Sequence, residues 1–457
     1  MRSLRADTPF QTSKSWTDDL PVCKQSGVGS ATNQIYREDG NRQEAHSFED
    51  RTFHYKFDDN SSIYALFDGS EGSKAVDFCC QRMPAELVFG QLKDKKTDEE
   101  IKEVLRQAFV SVEKGYMDSM YDLLAYLAGL QEEIQGLSEY EAYQKKPEVV
   151  DQIKKTNLCL SASATAAVAL IHNNKLYVAN VGSCRVLLCQ TDSNGVLKVV
   201  QLSTDHVLQN EDEVLRLSQL GININNLRKC TLLGNQRSTR CFGNYLVKGG
   251  YKEFEDLKNA LQEPIISEPD IIVAGPIDEA CQFLILMSSG FYQSIEEATG
   301  TDLVNKCIAQ YVVEQFREQN TLPSVAQAVV DKVVRLHHDW FMSKPSNNPV
   351  IREDITLLVR NFNFPMLNAK KSPSVGINSI VISNNTTPIC TPQGTIMNTD
   401  IRNTLCSTAA TSTTSTLRND NDMDDVTEID AYVDFTDFIN GFENDKKKGN
   451  LPACLNF

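Results

Sequence analysis

No apolar run in this 457-residue chain approaches membrane-spanning length, and no apolar signal-like stretch follows the N-terminus. Neither a membrane span nor a secretory signal is expected. The thirteen cysteines include no CxxC pair, and the six histidines form no HExxH. The common zinc arrangements are therefore absent, and the scattered cysteines read as reduced thiols of a cytoplasmic protein. No GxxxxGK[ST] follows Gly249-Gly250, so that pair marks a loop and not a phosphate cradle. Positive charge is scarce: 45 Lys and Arg face 61 Asp and Glu, for a net charge of −16. Nucleic acid and anionic membrane surfaces need clustered Lys and Arg, so both are excluded as partners.

What remains is ordinary globular composition from about residue 26 to 364, with strand and helix patterns in separate blocks. Ile63 to Phe67 is a short apolar strand that ends at Asp68-Gly69, a pair suited to a turn. Ala75 to Phe89 reads as a helix. Residues 98–156 are helical in pattern, with breaks near Gly136 and Pro147. Asn173-Asn174 joins two strands as a tight hairpin, and Asn194-Gly195 joins a second pair. Asn210 can cap a helix that stops at Gly221. Phe283 to Met287 is a buried strand that runs into Ser288, Ser289 and Gly290. Leu303–Phe316 and Val325–Leu336 are amphipathic helices, and Ile355–Val359 is a last strand. Antiparallel hairpins with separate helical blocks predict an α+β layered domain over 15–365.

Seven loops occur in series: "YREDG" at 36–40, "ALFDGSEG" at 65–72, "SASATAAVALIHNNKLYVANVGSCRVLL" at 161–188, "LSTDHVLQNEDEVLRLSQLG" at 202–221, "STRCFGN" at 238–244, "FLILMSSGFYQ" at 283–293 and "REDITLLV" at 352–359. In this order the chain resembles the metal-dependent protein phosphatases of the 2C (PPM) type. The resemblance implies a sandwich of two antiparallel β-sheets flanked by helices. It also implies two Mg²⁺ or Mn²⁺ ions held by aspartates at one end, sharing a hydroxide that attacks phosphate.

Carried over position by position, that chemistry is depleted. The family's DGHGG is Asp68-Gly69-Ser70-Glu71-Gly72, which keeps the acid and loses the histidine. GDSR becomes Gly182-Ser183-Cys184-Arg185. The acid of SRxxGD becomes Asn244, the metal aspartate of SDG becomes Ser289, and the closing DN becomes Glu353-Asp354. Glu38-Asp39 aligns with the family's ED pair, and Thr32, Asn33 and Gln34 lie where its phosphate-binding arginine would fall. Asp68, Asp39 and Glu353 are the vestigial metal candidates, while Ser183, Asn244 and Ser289 mark lost acids. A Mg²⁺ site needs several placed carboxylates. The expectation is no catalytic residue and no cofactor beyond at most one weakly held Mn²⁺ or Mg²⁺. Asp205-His206 reads as a hydrogen-bonded turn, not an acid–base dyad.

Residues 366–426 contain no Phe, Tyr or Trp and are rich in Ser, Thr and Asn, so a disordered linker is expected. "TEIDAYVDFTDFINGF" at 427–442 restores apolar character. Thr427 and Asp430 have capping-box spacing, and Tyr432, Phe435, Ile439 and Phe442 share one helical face. Val433 and Phe438 flank it. A tethered helix at 427–445 that fills a partner's groove is expected, followed by a tail at 446–457. "SWTDDLPVCKQSGVGSA" at 15–31, the degraded loops and "YVDFTDF" are similar to the family's branch of inactive kinase adaptors. That resemblance implies capture of TGF-β-activated kinase through the C-terminal helix, promotion of its autophosphorylation, and a place in stress and immune signalling. It also implies docking of a BIR module of an inhibitor-of-apoptosis protein. The alternative is a weakly active metal-dependent Ser/Thr phosphatase.

Overall fold

A computed structural model describes residues 17, 20–37, 43–88, 91–92, 95–343 and 350–367. The expected linker from 368 onward, the helix at 427–445 with Tyr432, Val433, Phe435, Phe438, Ile439 and Phe442, the tail, and Asp39 lie outside the described residues. The elements below belong to one compact unit, Leu20–Thr391.

The chain opens with β1 (Ser26–Ala31), β2 (Gln34–Tyr36), β3 (Arg51–Lys56) and β4 (Ser61–Ser70). Five helices follow: α1 (Lys74–Val88), α2 (Asp98–Asp118), α3 (Tyr121–Glu133), α4 (Glu139–Lys145) and α5 (Pro147–Ser161). Next come β5 (Ser163–His172), β6 (Lys175–Val181), β7 (Arg185–Thr191) and β8 (Leu197–Gln201), then α6 (Glu211–Gln219) and α7 (Ile224–Leu227). β9 (Phe242–Gly243), α8 (Tyr245–Gly249), β10 (Asp270–Pro276) and β11 (Cys281–Met287) lead to α9 (Ser289–Thr299), α10 (Val304–Glu318) and α11 (Leu322–Ser343). β12 (Val350–Arg352) and β13 (Ile355–Asn361) close the unit.

The strands form two antiparallel sheets, one in the order β1-β13-β11-β7-β8 and one in the order β10-β6-β5-β4-β3, with β9 added to β5. β12 and β2 pair apart from both. This is the α+β sandwich expected. β11 explains the arrangement of layers. Its alternate residues Phe283, Ile285 and Met287 pack with Phe291, Ile308, Val312, Phe316 and Val329 of the helical layer. Leu284 and Leu286 point the other way and meet Tyr64, Leu66, Ala167 and Val178 between the sheets. A strand covered on both faces needs no polar alternation, so it reads as one apolar run.

Both predicted hairpins form. Asn173 and Asn174 take positive φ, as a two-residue loop demands, and Asn tolerates this better than most residues. Asn210 caps α6 through the N–H of Asp212, and Gly221 follows with φ 89°. Pro147 opens α5. One expectation fails in detail: β4 does not stop at Asp68-Gly69. Its pairing with the ten-residue β5 continues through Asp68↔Thr165 to Ser70↔Ser163, and the turn falls at Glu71-Gly72. Asp68 is therefore held by a sheet ladder and not by a loop.

Candidate functional site

Asp68 leaves the second sheet near the start of α9, which follows β11 of the first. Ser289 donates its backbone N–H (2.8 Å) and its hydroxyl (2.6 Å) to the same oxygen, Oδ2, of Asp68. The first N–H groups of a helix have no partner within it, and an anion there is favoured by the helix dipole. Asp68 thus caps α9 from another part of the chain. Burial pushes its carboxyl up from the usual range, and the two bonds from Ser289 pull it back.

Asp354, buried just before β13, has both carboxylate oxygens engaged. Its Oδ1 accepts from the backbone N–H of Asn33 at 2.6 Å and from Asn33 Nδ2 at 2.9 Å. Its Oδ2 accepts from the backbone N–H of Glu49 at 2.8 Å. Asn33, one of the three residues standing where the phosphate-binding arginine was expected, binds a carboxylate of its own chain. Glu353 sits at the rim, 3.8 Å from His46 and 3.8 Å from Arg237. His46 also lies 3.4 Å from Glu49 and 3.9 Å from Asp354. Burial disfavours the imidazolium, but the Ser47 carbonyl and the Glu49, Asp354 and Glu353 carboxylates outweigh it and raise the pKa.

Two acids at this site were not identified from the sequence. Glu49 and Asp50 precede β3 and lie against Asp354 and Asp68. Glu38 and Asp39 lie outside the described residues. Asp50 is 1% exposed and neither of its oxygens has a hydrogen-bond partner. Burial and the neighbouring Asp68 push its carboxyl well up, while the nearby hydroxyls of Thr356 and Ser288, though outside hydrogen-bonding geometry, oppose the rise. An acid pair set directly before the aromatic alternation of "RTFHYK" was the available signal.

The lost acids have settled into other roles. Asn244 takes φ 58° and is buried; Nδ2 donates to Asn235 Oδ1 (2.9 Å) and Gln236 Oε1 (2.8 Å), and Oδ1 accepts from Val247 at the start of α8. A carboxylate cannot donate to two acceptors, so this pocket selects an amide. Ser183 offers its carbonyl to the hydroxyl of Tyr292 at 3.1 Å. The next residues reinforce this corner: Arg185 lies 3.6 Å over the Tyr292 ring and binds Asp205 at 2.7 Å. His206, fully buried, accepts from the Gly182 N–H at Nδ1 (3.1 Å) and sets Nε2 3.2 Å from Asp270. Asp205 and His206 face different partners and form no dyad.

The residues present do not fit a two-metal centre. Oδ2 of Asp68 and both oxygens of Asp354 already accept donors from the chain. Among the described residues no three His, Cys, Asp or Glu side chains are arranged to hold a metal ion. The ten described cysteines are free thiols, and burial raises the pKa of Cys79, Cys184, Cys189 and Cys241, which makes them poor nucleophiles.

A family model described as Protein phosphatase 2C matches residues 35–335. The chain belongs to this family. A protein of Caenorhabditis elegans named "TGF-beta-activated kinase 1 and MAP3K7-binding protein 1" is 27% identical over 303 residues, covering 65% of this chain and 70% of that one. "Probable protein phosphatase 2C 2" of Paramecium tetraurelia is 27% identical over 277 residues, covering 60% and 76%. Among solved structures, a serine-threonine phosphatase 2C from Toxoplasma gondii aligns with a TM-score of 0.42 at 19% identity, covering 74% of this chain and 96% of that one. A C. elegans sex determining protein aligns with a TM-score of 0.47 at 14% identity, and this chain spans 65% of its length. No described helix is long and apolar enough to cross a membrane.

Proposed function

We propose that this chain is a catalytically inactive 2C-type protein that serves as an adaptor, capturing a TGF-β-activated kinase through residues 427–445 and promoting its autophosphorylation in stress and immune signalling. The observation that carries the inactive part is the Ser289 hydroxyl bound to Asp68, where a divalent ion needs a carboxylate. The adaptor part draws on the similarity to the C. elegans kinase-binding protein and on the aromatic face of Tyr432, Phe435, Ile439 and Phe442. We place its action in the cytoplasm, where free thiols persist. A BIR module of an inhibitor-of-apoptosis protein is a second proposed partner, for the phosphatase-like unit.

Capture of purified kinase by the full chain and by Phe435→Ala tests the proposal. Truncating a buried aromatic anchor costs about 2–4 kcal/mol, a loss of about 30- to 700-fold in affinity. Asp437→Ala, on the polar face, should cost far less. The unfolding midpoint of the large unit should be the same in all three chains. Normal capture by Phe435→Ala, or a lowered midpoint, contradicts the reading of 427–445 as a ligand helix.

The second reading is a weakly active metal-dependent phosphatase. It is favoured by the acids that persist together, Asp50, Asp68 and Asp354, and by the phosphatase names of several relatives. It requires Mn²⁺-dependent turnover that disappears in Asp68→Ala.

A further inference from the structure

We propose that the end of the sandwich where the family builds its metal centre has become a clamp independent of divalent metal, in which the chain's own donors hold Asp68 and Asp354 and those two carboxylates tie the sheets together. The inference rests on the inactive part of the proposed function, and not on the kinase.

The connections run across most of the fold. Asp68 belongs to β4 of the second sheet, and its partner Ser289 begins the helix that leaves β11 of the first. Asp354 precedes β13 of the first sheet. Its partners are Asn33, just after β1 of that sheet, and Glu49, just before β3 of the second. Partners are separated by 221, 321 and 305 residues, so each bond closes a long stretch of chain. Each is charge-assisted, and such bonds are roughly twice as strong as neutral ones. A metal centre at this end performs the same mechanical task by placing cations between carboxylates. Here N–H and O–H groups stand between chain segments instead, and the half-buried His46 ring, bonded to the Ser47 carbonyl, lies 3.4, 3.8 and 3.9 Å from Glu49, Glu353 and Asp354.

The substitutions at Ser289 and Asn33 therefore do more than delete chemistry. A serine at 289 fits the carboxylate of Asp68 at 2.6 Å; an aspartate would bring a second carboxylate to the same oxygen. An asparagine at 33 adds a side-chain N–H to the backbone N–H already given to Asp354, and its Oδ1 accepts the N–H of Ala45 at 2.7 Å. The acids survive because the clamp needs acceptors, so their retention is no sign of metal binding.

Thermal unfolding of the full chain tests this, with EDTA and with millimolar Mn²⁺. The wild-type midpoint should be the same in both, since a ligand stabilises only by binding the native state preferentially. Ser289→Ala, which keeps the backbone bond and loses the hydroxyl, should lower the midpoint by about 2–4 °C. Asp354→Asn should lower it further, because an amide presents a donor to one of its three N–H partners. Glu353→Gln, at the exposed rim, should leave it nearly unchanged. A midpoint that rises by several degrees with Mn²⁺, or Ser289→Ala melting like wild type, overturns the clamp. Should Asp354→Asn fail to fold, Ser289→Ala alone decides. Kinase capture by Ser289→Ala, measured in parallel, should equal wild type, so loss of the clamp and loss of the adaptor reading remain distinguishable.

Discussion

Arg240 and Glu213 meet at 2.6 Å inside the protein, where the Glu213 side chain is 2% exposed. Arg216 and the hydroxyl of Thr239 bind the same carboxylate at 2.9 and 2.6 Å. Burial alone would raise the pKa of Glu213, but these partners outweigh it and hold it at about 2, against an ordinary 4.5. The pair fastens α6 to the segment that carries Asn244, outside the acid cluster. Removing one partner of a buried pair typically costs about 3–5 kcal/mol. Glu213→Gln should lose about that much in urea unfolding at neutral pH.

The sign of the pH dependence follows from the same pair. The folded carboxyl titrates below the unfolded one, so its contribution is complete above the unfolded value. It should fade as pH falls from about 5 toward 2. Unfolding free energies measured across that range should converge for wild type and Glu213→Gln. A gap that stays constant down to the acid end would contradict the assignment.

Gly290 is required by contact. A Cβ built there would lie 2.3 Å from the carbonyl oxygen of Asp354, a backbone atom that cannot swing away. Gly290→Ala should therefore destabilise by at least about 1–3 kcal/mol, although alanine is the better helix former. Gly129 supplies the contrast, lying within α3 with open space around its Cα. Gly129→Ala should stabilise by about 0.5–1 kcal/mol. Chemical denaturation of both variants reads the difference in sign.

Tyr292 links α9 to the loop that lost an acid at Ser183. Tyr292→Phe should cost about 0.5–1.5 kcal/mol, the ordinary value of one hydrogen bond, because the ring remains under Arg185. Arg185→Ala should cost more, since it strands Asp205 and uncovers the ring. Equal costs for the two variants would show that the guanidinium contributes little at this corner.

The sequence is most legible where one local rule dominates. The Asn173-Asn174 hairpin, the Asn210 cap and the doubly buried β11 each follow from turn chemistry, capping or apolar run length. β1 is different: "SGVGSA" carries two glycines because α11 packs against its backbone, with Gly27 and Gly29 facing Leu322 and Ala326. That requirement comes from a helix almost three hundred residues away and leaves no local pattern. The site divides the same way. Replacement of acids by Ser183, Asn244 and Ser289 is legible by position. The new partners of the surviving acids are not, because Asp68–Ser289 and Asp354–Asn33 are long-range pairs. Glu49-Asp50 is faint in the sequence because the "RTFHYK" that follows mixes basic residues with its aromatic alternation, as an edge strand does.

The central claim is that the acids of this 2C-type fold hold structure and not metal. Turnover of a phosphopeptide by the full chain under saturating Mn²⁺ tests it most directly, with Asp68→Ala measured beside it. The account predicts that both chains stay at the no-enzyme background. Mn²⁺-dependent turnover by wild type that Asp68→Ala abolishes would contradict it.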